Sequence, residues 1–182
     1  MEDISVNLLD IAINSVRAEA SFISISVANN RVEDKITITV TDNGCGMPDE
    51  FVRHLLVLEP DARFGSGIPT FRLAAEATGG SLVITSMPEV GTSVNATFYT
   101  SHKSCPKLGD IAGVFITLVD MNPDITFSYA VGLKGENIHE NFIIDTEALK
   151  ELFGTENLSE PHVSQRVKYY IEENTEKLVK GV

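Results

Sequence analysis

Thr39-Val40-Thr41-Asp42-Asn43-Gly44-Cys45-Gly46-Met47-Pro48 carries a strand pattern straight into two closely spaced glycines. Ile36, Ile38 and Val40 alternate with threonines, the period of a strand with one buried face. Asp42 therefore ends a strand whose apolar side chains face a core. Gly44 and Gly46 let main chain pass close to a ligand, and one carboxylate there can accept from an exocyclic amine. Alone, the run would be an ordinary turn, so its neighbours decide.

Upstream, Ile4, Leu8, Ile11 and Ser15, flanked by Leu9, Ala12 and Val16, form an apolar stripe with a period near 3.6, which predicts an amphipathic helix over about 3–19. Its polar face holds Asp10, Asn14 and Arg17, with Asp10 and Asn14 one turn apart. Ile23, Ile25 and Val27 predict a strand that precedes the one ending at Asp42. Downstream, a short helix is expected over about 48–58, and Gly65-Ser66-Gly67 opens another over about 68–78. Such an opening aims unpaired N–H groups and the positive end of a helix dipole at an anion. Leu82 and Ile84, then Val94, Ala96 and Phe98, mark two strands around the turn 88–91, and Gly91-Thr92 enters the second. Each of these four signals is weak alone; their fixed order makes one strong signal.

Composition narrows the classes. The chain has 182 residues and a formal net charge of −12, with 43% hydrophobic residues, enough for a buried core. Fourteen Lys and Arg against twenty-six Asp and Glu leave no cationic surface to displace phosphate counterions, so a nucleic-acid binder is not expected. No apolar run approaches the ~20 residues that span a bilayer. Met1-Glu2-Asp3 lacks the basic flank of an export signal, so a cytoplasmic protein with no membrane partner is expected. Cys45 and Cys105 stand at no metal-ligand spacing and are expected as free thiols.

The texture changes near residue 100, which suggests a first domain over 1–103 and a small α+β region over 104–182. In that second region the pattern predicts a helix (107–121), strands (124–132 and 138–144) around the turn 134–137, and helices (145–153 and 161–179). Either a separate module or extra layers on the first sheet would satisfy it. Phe127, Tyr129, Phe142, Ile143 and Ile144 read as core strand residues, and Tyr169-Tyr170 as packing residues.

These pieces resemble the ATP-binding domain shared by DNA gyrase, the large heat-shock chaperone, histidine kinases and mismatch-repair ATPases, the GHKL or Bergerat fold. Leu8-Leu9-Asp10-Ile11-Ala12-Ile13-Asn14-Ser15 is similar to its asparagine box, Asp42 to Pro48 to its first glycine box, and Gly65-Ser66-Gly67-Ile68-Pro69 to its second. The run from Ala75 to Ser86, followed by Gly91-Thr92, is similar to the end of the histidine-kinase type. The resemblance covers a little over half of the chain. It implies an α/β, two-layer sandwich, a mixed sheet covered on one face by helices, with a small α+β C-terminal extension.

Carried over residue by residue, the resemblance implies that Asn14 ligates a Mg²⁺ bridging the phosphates of ATP and that Asp42 accepts from the adenine amine, with Thr92 beside it through hydroxyl or water. Gly44, Gly46, Gly65 and Gly67 would let the main chain approach the nucleotide. Arg17 would meet phosphate. Met47, Ser66 and Ile68 join the nucleotide-binding set from within the two glycine boxes. Asp10 would be the general base, a carboxylate one methylene shorter than the Glu usual in hydrolysing relatives. The segment 59–64 is a short lid in which Arg63 is the one candidate to meet the terminal phosphate. Because residues 1–100 sum to −7, the phosphates would have to be held locally by Mg²⁺, amides and Arg17.

A complete histidine kinase is not expected, since the asparagine box begins within ten residues of Met1. His54, His102, His139 and His162 read as surface or turn residues. The expected function is an ATP- and Mg²⁺-binding regulator similar to the anti-sigma and serine-kinase group, with slow ATPase or kinase activity on a protein partner. The alternative is a nucleotide-sensing or interaction module without turnover. A homodimer stays open.

Overall fold

The computed structural model describes residues 3–60 and 67–180. Helix α1 (Ile4–Arg17) leads into strands β1 (Phe22–Asn30) and β2 (Lys35–Asp42), then helices α2 (Asp49–Leu55) and α3 (Gly67–Glu76). A hairpin of β3 (Ser81–Met87) and β4 (Gly91–Tyr99) follows, then helix α4 (Ile111–Met121) and a second hairpin, β5 (Thr126–Lys134) and β6 (His139–Asp145). Helices α5 (Thr146–Phe153) and α6 (Pro161–Val179) complete the order.

The strands form one six-stranded sheet in the order β3-β4-β2-β1-β5-β6. Every neighbouring pair is antiparallel except β1 and β5, which run parallel from Phe22 beside Thr126 to Asn30 beside Lys134. The region after residue 104 therefore adds two strands to the sheet begun by the first hundred residues. It covers the outer edge of β1, whose N–H and C=O groups would otherwise stand unpaired.

Alternation makes the sheet two-sided. Ile23, Ile25, Val27, Ile36, Ile38, Val40, Phe98 and Phe127 are buried on one face, against α1, α3, α4 and α6. The opposite face carries Ser24, Ser26, Thr37, Thr39, Thr41 and Asn95, none of them buried. Hydroxyls bridge strands there: Thr41 pairs with Ser93 at 3.0 Å, and the Asn95 amide donates to the Thr39 hydroxyl at 2.9 Å. Helices on one face of a mixed sheet give the two-layer sandwich that the family resemblance implies. Two aromatic groups hold the layers together, Phe71 with Phe98 at 5.3 Å between centroids and Phe115 with Tyr129 at 5.2 Å. Each such side chain contributes about 1.5–3 kcal/mol by leaving water.

Four expectations shift. Helix α4 starts at Ile111 and not at 107, because the carbonyls of Lys107 and Leu108 accept from the Ile4 and Ser5 amides at 2.9 and 3.0 Å. Asp110 then caps the helix by accepting from the Gly113 N–H at 2.7 Å. Strand β5 runs to Lys134, two residues beyond the expected end, as its pairing with β1 requires. Ile143 is a surface residue at 66% exposure, on the face opposite its neighbours Phe142 and Ile144. Tyr170 packs against Phe142 and Phe153, whereas Tyr169 is exposed.

Candidate functional site

A cavity of 590 Å³ opens between α1, the segment after β2, α2 and the start of α3. Nine residues singled out in the sequence line it: Asp10, Asn14 and Arg17 from α1, Asp42 from the end of β2, Gly46 and Met47 from the turn, Gly67 and Ile68 from α3, and Thr92 from β4. Gly44 lies behind Asp42, and its N–H donates to the Asp42 carboxylate. Arg63, Gly65 and Ser66, with most of the expected lid, lie outside the described residues.

Asp42 is the most constrained group of the site. It is 9% exposed. One carboxylate oxygen accepts from the Gly44 N–H at 2.9 Å and from the Thr92 N–H at 3.2 Å, and the other accepts from the Ser15 hydroxyl at 2.6 Å. Three donors fix the carboxylate plane and leave acceptor capacity for one more donor from the cavity. Thr92 meets Asp42 through its backbone amide, where the sequence suggested hydroxyl or water; its hydroxyl pairs instead with that of Ser86 at 2.9 Å.

The turn after β2 is pinned on both sides. Asn43 accepts from the Ser21 and Phe22 amides at 3.0 and 2.9 Å, Cys45 N–H donates to the Ala18 carbonyl, and Met47 N–H donates to the Ser86 hydroxyl at 2.8 Å. Gly46 has φ +65°, and a Cβ there would overlap the Met87 carbonyl oxygen. This glycine is required by its own chain as well as by any ligand.

The two ends of the cavity differ in chemistry. At one end, Ser15 and Asp42 join the last turn of α1 to β2. At the other, α3 begins at Gly67 directly against Asp10, where a Cβ would come to 2.8 Å from the Asp10 Cβ. The first amides of this ten-residue helix lie at that end, and their dipole favours an anion. Asp10 and Asn14 are exposed on the α1 face between the two ends and offer oxygen donors. Among the described residues, no three His, Cys, Asp or Glu side chains converge to hold a metal by themselves. Apolar side chains of Phe51, Leu55 and Leu58 form the remaining wall.

Several residues here escaped the sequence reading. Ser15 sits in the apolar stripe of α1, and a hydroxyl at a buried position needs a partner, the signal that could have marked it. Ser86 and the α2 wall carry no such mark. Arg72 supports that wall: one guanidinium nitrogen donates to the Leu58 carbonyl at 3.1 Å and another to Glu76, while its buried Nε has no partner among the described residues.

Comparison with known proteins bears on the family and the fold. The family model described as histidine kinase-, DNA gyrase B- and HSP90-like ATPase matches residues 2–102, more than half of the chain. Among solved structures, the chain is similar to the N-terminal domain of a DNA repair protein, with a TM-score of 0.58 and 14% identity over 87% of this chain and 59% of that one. It is also similar to the Aquifex aeolicus MutL ATPase domain complexed with ADP, with a TM-score of 0.51 and 16% identity over 85% of this chain and 70% of that one. The chain thus spans less than two thirds of the first of these, and at such identities the likeness is one of fold. No described helix is long and apolar enough to cross a membrane.

Proposed function

Because the chain belongs to the family of histidine kinase-, DNA gyrase B- and HSP90-like ATPases and carries an ATP-binding domain of that type, we propose that it is a regulatory module that binds Mg-ATP in the α1–α3 cavity, turns it over slowly and acts on a protein partner. One observation carries this reading. A carboxylate held by three protein donors stands at one end of the cavity, a helix N-terminus stands at the other, and two oxygen-bearing side chains of α1 lie between them. Asp42 suits an exocyclic amine on a purine. The α3 amides suit the polyphosphate, and Arg17 adds a cation at the end of α1.

Asn14 fits Mg²⁺ as an exposed amide oxygen on the cavity face of α1, a hard neutral donor of the kind this ion takes. Bound there with the nucleotide, the ion would neutralise charge on the phosphates. This chain's residues do the rest: Asp42 orients the base, the wall of Phe51 and Leu55 on α2 with Leu58 just after it keeps water from one side, and Asp10 accepts a proton from an attacking hydroxyl or water.

Asp10→Asn separates the two steps. Expected is Mg-ATP affinity within about threefold of wild type and loss of ATP-dependent phosphate release, followed with a phosphate sensor. An equal release rate in the variant would remove Asp10 as the base. Absence of release from wild type, with binding intact, would favour nucleotide sensing without turnover, which the shortened carboxylate at position 10 also admits.

A further inference from the structure

A second cavity, of 460 Å³, opens on the helical side of the sheet, between α6 and residues 108–112. Its floor is Tyr129, 2% exposed; burial pushes that hydroxyl well above its ordinary range, so the floor is neutral. Leu108, Ile111 and Val179 make apolar walls. The rim is a single face of α6, where Tyr169, Glu172, Glu173 and Glu176 recur at helical spacing. Lys168 is already engaged, 2.6 Å from Asp110 and 3.6 Å from Glu172. Glu173 and Glu176 have no cation partner among the described residues.

We propose that this cavity docks a basic, leucine-bearing amphipathic segment of a protein partner. Apolar walls below an anionic rim match an aliphatic anchor flanked by Lys or Arg. A second copy of the chain is a poor occupant, because each copy carries −12 and would bring like charge to the rim. The phosphates of a nucleic acid are repelled for the same reason. The inference rests on the proposed engagement of a protein partner and is independent of nucleotide binding.

The chain contains no tryptophan, so a single Trp in a synthetic helical peptide reports its own burial. The probe is a peptide of about 15 residues, long enough to form a helix, with Leu on one face and Lys on the other. Its control replaces every Leu with Ser. With the full chain, the Leu/Lys peptide is expected to bind with a blue shift, and the Lys/Ser control to bind at least ~tenfold more weakly. The double reversal Glu173→Lys/Glu176→Lys should weaken binding by at least ~tenfold, whereas Asp124→Lys/Glu156→Lys, of the same net charge but outside the cavity, should change it by less than ~threefold. Equal losses from the two reversals would mean attraction by net charge alone and would overturn the proposal. So would equal affinity for the two peptides, or no binding of the Leu/Lys peptide. Circular dichroism checks that each variant is folded, and Mg-ATP titration of the same samples bears only on the nucleotide reading.

Discussion

Replacing Asp42 with Asn is expected to weaken Mg-ATP binding by at least ~tenfold while leaving the fold intact, because hydrogen bonds to a charged group contribute roughly 1.5–3 kcal/mol. The remaining amide oxygen can keep both the Gly44 and Thr92 N–H groups. The new NH₂ can donate to the Ser15 hydroxyl, which now accepts where it once donated. Every protein contact then survives, and what changes is the side facing the cavity, from an acceptor to a donor that opposes an exocyclic amine. Thermal melting within a few degrees of wild type, together with the lost affinity, would separate recognition from folding. Unchanged affinity in a folded variant would show that Asp42 does not read the base.

Gly46→Ala acts on the scaffold of the same site. A left-handed backbone costs a side-chain-bearing residue roughly 1–2 kcal/mol, and forcing a methyl into a filled space costs roughly 1–3 kcal/mol more. Gly46 incurs both, with φ +65° and the Met87 carbonyl in the way of its Cβ. The sum is a large share of the ~5–15 kcal/mol that holds a domain folded. Relief would require the turn to leave β3, breaking the Met47 N–H bond to Ser86 and the Glu89 N–H bond to Cys45. Urea midpoints check this: Gly46→Ala should unfold at clearly lower denaturant, while Cys45→Ala, one residue away and exposed, should stay within about 0.5 kcal/mol of wild type.

Local periodicity made the elements legible. The apolar stripe of α1 and the alternation in β1, β2 and β4 are short-range signals that tertiary context did not override. The parallel pairing of β1 with β5 joins residues about a hundred positions apart, and nothing local in either strand announces its neighbour. That is why the sequence left two arrangements of the second half open. Ile143 was misread because Phe142, Ile143 and Ile144 are all apolar, so alternation, the signal that sorts one face from the other, is absent.

The site was legible where chemistry is tied to backbone geometry. Asp42, Gly46 and Gly67 stand where a strand end, a left-handed turn and a close helix approach need those residue types. Ser15 was hidden because its hydroxyl lies within an apolar stripe. The Thr92 amide contact with Asp42 was not read because a strand-entry amide has no side-chain signature. Arg72 was missed because its contact with the wall is to the Leu58 carbonyl, which has no side-chain signature.

In the proposed function, the α1–α3 cavity takes an adenine nucleotide with its metal. Isothermal titration of the folded chain with ATP in magnesium buffer tests it most directly. Saturable binding at one site per chain, weakened by Asp42→Asn, is the expected result. A folded chain that gives no binding heat up to high micromolar ATP, with none found by a fluorescent ATP analogue either, would contradict it.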